Sequence, residues 1–265
     1  MLFKKLIRTV GQYKAQFISM IVMIAIGIGI FVGFNTEWYT IEKNTESFFS
    51  DCKLSDYKIA DVASSGFSEE DVEKIKAVDG VDAATLYFSV NAEVEEKEGT
   101  QVALDVAKTR GVSEFVVIKG EKYDPSSMDG IWLSETYANK NDVKIGDELT
   151  LSYGNTKIEG EVKAFIKAAE HMICVRDASQ LMPDYTTYGY AYVSPVLYEG
   201  KSSAVYTYIY VRSNIASDSF KEKVNTAFGK TMLVTTKNEN VSYSQSKGEI
   251  EEGQTMGSIL PVVFL

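Results

Sequence analysis

The residues able to do chemistry are few and far apart. His171 is the only histidine in 265 residues, so any histidine-based acid–base or nucleophile constellation must use it. Glu170 adjoins it, but neighbours along a strand point to opposite faces, and a solitary surface histidine is the plainer reading. No His/Cys cluster has the spacing of a metal site. Glu93, Glu95, Glu96 and Glu98 form an acidic run that would attract a cation. The run lacks the glycine and alternating oxygen ligands of a calcium loop, and reads as a solvated hairpin tip. Glu199-Gly200-Lys201-Ser202 is the nearest approach to a phosphate loop, but Pro195 stands where the first glycine belongs and a strand rather than a helix follows. Gly27 and Gly29 fail the dinucleotide pattern because Val32 takes the third glycine's place. Tyr206, Tyr208 and Tyr210 alternate and are expected on one strand face, which either packs under helices or offers rings and hydroxyls to peptide or glycan. Cys52 and Cys174 are the only thiols, and their spacing leaves pairing open. The inventory implies no bound cofactor and no metal, and it lacks the acid, base and nucleophile set of a tethered hydrolase.

What must position these residues begins in an unusual place. Residues 17–34 carry no charge and a single hydroxyl, Ser19. About 18 residues at roughly 1.5 Å each make about 27 Å of helix, close to the hydrocarbon thickness of a bilayer. A soluble core helix would show polar positions every third or fourth residue, and a signal peptide would be shorter and followed by a small-x-small cleavage site. Here Asn35-Thr36-Glu37-Trp38-Tyr39 follows, with two aromatics suited to the membrane boundary. We therefore read residues 17–36 as an uncleaved transmembrane helix. Four basic residues, Lys4, Lys5, Arg8 and Lys14, precede it and no acidic one does. The other 23 of the 27 basic residues face all 37 acidic ones, a balance of −14 beyond the helix. The basic side is retained in the cytoplasm, which puts residues 1–16 inside and the acidic bulk outside. Leu2, Leu6, Val10 and Tyr13 recur at helical spacing, consistent with a lead lying along the inner leaflet, with a disordered basic tail as the alternative. So acidic a segment repels phosphate backbones and excludes nucleic acid as a partner.

Beyond the span, residues 37–55 read as a helical continuation or stalk. Residues 56–62 alternate as a short strand; Ser68 caps a helix whose first turn holds Glu69, Glu70 and Asp71; Gly80 ends it; and residues 84–94 return as a strand. The same order recurs later: a strand over 204–211, a helix from Ser217 or Asp218 through Phe220, Val224 and Phe228, Gly229 as its stop, and a strand over 231–235. Two βαβ units imply one split α+β sheet with helices on a single face. Between them lies a β-rich lobe, about 120–195. It has a strand at 131–133, a helix capped by Ser134, a hairpin of 148–153 with 157–166 across Gly154-Asn155, a strand at 172–175, a short helix near 177–181 and a strand at 190–194. Apolar residues resume in 257–265, which reads as the start of a second transmembrane helix, with 251–265 assigned to it and the chain taken as a fragment cut inside it.

This arrangement resembles the FtsX-like permeases of ABC transporters that carry a MacB-type extracytoplasmic core domain. The resemblance rests on Gln16-Phe17-Ile18-Ser19 with Gly27, Gly29 and Gly33, on Asp79-Gly80-Val81, and on Lys119-Gly120 through Ile131-Trp132-Leu133-Ser134 and Ala138. It extends to Val143-Lys144-Ile145-Gly146-Asp147 and to the strand over 161–166, where Ala164 stands in place of a common glycine. It implies a cytoplasmic lead (1–16), a first span (17–36), a two-lobed outer domain (37–250) and a second span. It implies as partners a cytoplasmic ABC ATPase that binds the ATP and a second permease subunit or half, and substrates among peptides, lipoproteins, toxins or cell-wall enzymes. Ala25, Gly29 and Gly33 share one helix face at four-residue spacing, a surface expected to pack against other spans. A reading from another class stays open: a membrane-anchored sensor or ligand-binding module without an ATPase.

Overall fold

The computed structural model describes residues 8–61, 66–177, 179–180, 182–201 and 204–264. Leu2 and Leu6 of the lead, Val62, Ala178, Leu181, Ser202 and Leu265 lie outside the described residues. The chain forms two compact units, residues 1–47 with 247–265, and residues 48–246.

The first unit is built from helix α1 (Lys14–Asp51), which continues past it by four residues, and from most of α6 (Val241–Phe264). The apolar window of α1 is long enough to cross a bilayer and only 6% of it is buried. A soluble core helix of that composition would be mostly buried, whereas this one is exposed along its apolar length. Among the described residues it is the one helix that meets this test of length and apolarity. The two helices meet where α6 is smallest: a Cβ on Gly253 would come within 2.0 Å of the Trp38 indole. Nearby, Gln254 Nε2 donates to Glu42 Oε2 at 2.8 Å.

In the second unit, β1 (Tyr57–Ala60), α2 (Glu69–Lys76) and β2 (Val81–Val94) form one βαβ unit, and β9 (Tyr208–Ser213), α5 (Ser217–Phe228) and β10 (Leu233–Thr236) the other. The four strands lie in the order β10-β1-β9-β2 with antiparallel neighbours, so each unit's strand pair is split by a strand of the other. Local chemistry sets the helices. Ser68 and Asp71 form a reciprocal capping box for α2, three acids sit in its first turn, and Gly229 ends α5 in the left-handed conformation. Two details differ from the sequence reading. The N-cap of α5 is Ala216, with Ser217 already helical, and α2 stops at Lys76, four residues before Gly80. Gly80 instead makes the turn into β2 at φ +94, where a Cβ would press within 2.7 Å of Ile215.

The remaining strands are β3 (Gln101–Ala107), β4 (Phe115–Gly120), β5 (Gly130–Ser134), β6 (Glu148–Tyr153), β7 (Thr156–Ala168) and β8 (Tyr188–Val193). Pairing runs β2-β3-β8-β5-β7-β6 and back to β2 through Glu93 and Val94 against Ser152 and Leu151, a closed circuit of six strands. Closure removes the free edges an open hairpin array would leave. Inside it, Ile131, Leu133, Leu149, Leu151, Ile158 and Val162 are buried, together with Tyr137 of α3 (Glu135–Lys140), whose hydroxyl bonds Thr100 Oγ1 at 2.6 Å. Ser134 caps α3, and Ser194 caps α4 (Pro195–Glu199). Where a strand was expected at 172–175 there is none; β7 runs into a 3-10 turn, Ala169–His171, and irregular backbone follows.

Candidate functional site

The split sheet has two unlike faces. One is covered by α2 and α5 and is apolar throughout, with Ile59, Leu86, Ile209 and Val211 packed against Val72, Ile75, Phe220 and Val224. The other carries Lys58, Tyr208, Tyr210 and Thr235 and lines a groove of about 470 Å3 with residues of the 170–177 and 239–242 segments. Alternation puts these side chains there: Ile59 and Ile209 point into the core, so Lys58 and Tyr210 point away from it.

His171 stands in this groove, contrary to the surface position its isolation in sequence suggests. Its Nε2 lies 2.5 Å from Asp105 Oδ2, its side chain is 18% exposed and that of Asp105 1%. Its ring stacks on Tyr190 at 4.8 Å. Burial pulls the imidazole pKa down, but the charge and hydrogen bond of Asp105, with Cys174 adding to them, outweigh burial and hold it up at about 10. That balance favours the protonated form of His171 at neutral pH. Tyr87 stacks on Tyr210 with centroids 3.8 Å apart and donates to the Tyr192 hydroxyl at 3.0 Å. Burial raises the phenols of Tyr87, Tyr192 and Tyr210 well above their ordinary range, which keeps them neutral donors.

The neighbouring Glu170 has a different task. Its Oε1 accepts from Ser55 Oγ at 2.9 Å and from Ser113 Oγ, and its Oε2 accepts from Asn240 Nδ2 at 2.6 Å. Ser242 Oγ donates to the Glu170 carbonyl at 2.9 Å. Ser55 follows α1 by four residues, Ser113 precedes β4, and Asn240 immediately precedes α6. One carboxylate thus clasps the chain just after α1, the chain just before α6, and the loop that leads into the barrel's flanking strand. Burial raises its pKa; the Ser113 and Ser55 hydrogen bonds and the His171 charge oppose that rise, and the Asp105 charge adds to it. Phe49, Cys52, Leu54 and Ala169 close an apolar layer beside the clasp, with Tyr243 against Phe49 at 5.2 Å.

The other residues singled out in the sequence are dispersed. Tyr206 does not share a face with Tyr208 and Tyr210. It sits in an isolated bridge to Phe67, packs into the helix-side core and donates to Glu199 at 2.9 Å. Glu199 is also engaged by Lys108 at 2.6 Å, and Gly200 closes α4 rather than opening a helix. In the acidic hairpin tip, Glu95 pairs with Lys157 at 2.6 Å and Glu96 accepts from the Thr150 N–H. Among the described residues no group of three or more His, Cys, Asp or Glu is arranged to hold a metal. Cys52 and Cys174 are free, buried thiols in separate clusters. Burial pushes Cys52 up to about 11. Ala25 is exposed, and a Cβ at Gly29 or Gly33 would meet nothing within 4 Å. Sequence reasoning missed the Glu170 clasp and the Asp105–His171 pair, since their partners lie 57 to 115 residues away.

No protein-family model matches the chain, and no curated protein matches it. Among solved structures it is similar to the extracellular domain of the noncanonic ABC-type transporter YknZ from Gram-positive bacteria. The identity is 15% and the TM-score 0.46, over 69% of this chain and 98% of that one. It is also similar to the periplasmic region of MacB from Actinobacillus actinomycetemcomitans, at 12% identity and a TM-score of 0.43, over 77% of this chain and 95% of that one.

Proposed function

We propose that this chain is the N-terminal part of an ABC transporter permease subunit, which couples ATP hydrolysis by a cytoplasmic partner to an outer domain that engages a peptide, lipoprotein or cell-wall-related substrate. In this reading residues 17–36 form the first span, 37–250 the extracytoplasmic domain with its inserted lobe near 120–195, and 251–265 the start of a second span. The face of Ala25, Gly29 and Gly33 packs against other spans of the permease or of a second permease subunit. The chain itself binds no ATP.

The observation that carries the reading is the Glu170 clasp. A transmitter has to take displacement from membrane helices and deliver it to a folded domain without loss in flexible linkers. Here α1 runs unbroken for 38 residues and its last four belong to the 48–246 unit. The same carboxylate that binds Ser55 binds Asn240 at the start of α6 and Ser113 next to the strands. In this reading a shift of the chain at Ser55 or at Asn240 is passed to the other and to β7, which ends two residues before Glu170.

The test is co-purification of the full-length protein with an ATP-binding subunit, followed by substrate-stimulated ATP hydrolysis. Stimulation is expected in the wild type. In Glu170→Ala it should fall while basal hydrolysis stays. A full-length protein that purifies without any ATP-binding subunit, and whose outer domain still binds ligand, supports instead the anchored sensor.

A further inference from the structure

The groove on the uncovered face holds an acceptor with no donor. Asp105 is 1% exposed and its Oδ2 is taken by His171, yet among the described residues its Oδ1 has no hydrogen-bond partner. Buried carboxylate oxygens are normally satisfied, because an unpaired one forfeits its hydration without replacement. Asp105 is part of the groove lining, with Oδ1 buried beneath its surface. The same groove already receives an ammonium group. Lys58 Nζ lies 3.7 Å from the Tyr208 ring centroid and 5.6 Å from that of Tyr210. Ring faces that hold one ammonium hold another equally well, and a desolvated site strengthens the attraction. The lining also carries carboxylates in Asp177 and Glu239 and cations in Arg176, Lys237 and His171, while the chain's net charge of −10 draws cations towards it.

We propose that this groove is a binding site for an alkylammonium group, which donates to Asp105 Oδ1 and lies against Tyr208 and Tyr210 in place of Lys58. An anion would bring no donor to Asp105 Oδ1, and an uncharged sugar would stack on the rings but gain nothing from their charge-attracting faces. The ammonium can come from a free amine or from a lysine side chain of a peptide. The proposal does not rest on the permease reading, and it is tested on this chain without an ATPase.

The chain in lipid nanodiscs is titrated calorimetrically with cadaverine, with acetyl-Ala-Lys-Ala-amide, and with the same peptide bearing Nε-acetyl-lysine. Binding of the amine probes and not of the acetylated peptide is expected. Equal binding of the two amine probes supports the site and points to a free amine, whereas tighter binding of the peptide supports it and points to a lysine-bearing peptide. Asp105→Asn should weaken binding by about tenfold, the scale of one hydrogen bond to a charged group. Lys58→Met, which removes the resident competitor without touching the core, should tighten it severalfold. The proposal is overturned if neither amine binds, if the acetylated peptide binds as well as the lysine peptide, or if Lys58→Met weakens binding or leaves it unchanged.

Discussion

The two faces of the split sheet are made by the same strands and do opposite things. On the helix-covered face, Phe220 is fully buried and stacks on Tyr57 with centroids 4.0 Å apart; on the other, Tyr208 is half-buried under Lys58. One face excludes water completely and carries stability, while the other leaves room for a ligand and keeps its charged groups. The difference teaches that a sheet can separate stability from chemistry simply by alternation, since residues one apart never share a face.

The sharpest way to break the comparison is to cut both faces alike. Phe220→Ala should destabilise the chain by about 3–5 kcal/mol, the cost of emptying a filled aromatic site. Tyr208→Ala, which deletes a ring of similar size, should cost roughly 1 kcal/mol, because less of its area leaves water on folding. Denaturant unfolding of both variants measures this, and similar losses would mean that the open face is core after all.

Glu170 stands where the open face meets the ends of the two long helices, and its loss should come next in size. Glu170→Ala leaves the Ser55, Ser113 and Asn240 donors without their acceptor. At about 1–3 kcal/mol for each unsatisfied buried group, reduced by whatever water enters, about 3 kcal/mol is expected. Glu170→Gln keeps the shape and one acceptor oxygen and should recover about half of it. Hydrogen exchange at residues 52–55 and 240–242 reads the same clasp locally, and protection there should fall before it falls in β7.

Much of the covered face was legible in the sequence and little of the open one. The capping box at Ser68 and Asp71, the stop at Gly229, the Ser134 cap and the hairpin across Gly154-Asn155 are local signals, each decided within a few residues. The parallel pairing of β3 with β8 and the closure of β6 on β2 join segments far apart in the chain, and no local pattern encodes them. His171 reads as a surface residue because nothing near it announces Asp105, 66 positions earlier. The tyrosine alternation failed at one point for a physical reason: Tyr206 precedes β9 in an isolated bridge, so the period of two that relates Tyr208 to Tyr210 does not extend to it. Within the first unit the close helix contact falls at a glycine that the four-residue spacing of Ala25, Gly29 and Gly33 does not single out. Gly253 of α6 makes the close approach, to Trp38, while Gly29 and Gly33 of α1 remain open.

The Asp105–His171 pair sharpens the comparison through pH. The folded-state pKa of His171 is raised to about 10 against an ordinary value near 6.5. A raised histidine contributes its full stability below about pH 6.5 and loses it as pH rises towards 10. Glu170, which adjoins His171 in the chain, is also raised and so gives a slope of the same sign over its own lower range. Tyr190, Tyr192 and Cys174 complete the surroundings, and burial holds the two phenols protonated over this interval. Stability should therefore decline between pH 6.5 and 10 in the wild type, while His171→Gln, which can still donate to Asp105, should flatten the decline. Near pH 6 that variant should be less stable by about 1–2 kcal/mol, the gap between a charge-assisted and a neutral hydrogen bond.

The smallest effect belongs to Lys58. Lys58 is half-buried, its ammonium over Tyr208 and in no ion pair among the described residues, so the contact is worth about 0.5–1 kcal/mol. Lys58→Met replaces a charged tip by an apolar one of similar length and should change stability by less than that, in either direction. A loss of several kcal/mol on unfolding would show that the ammonium braces the sheet and that the open face shares the work of the covered one. A near-zero change, with the ring of Tyr208 more accessible to solvent quenchers, would show instead that the residue sits in the groove because of its charge, and that β1 holds its place through Tyr57 and Ile59 alone.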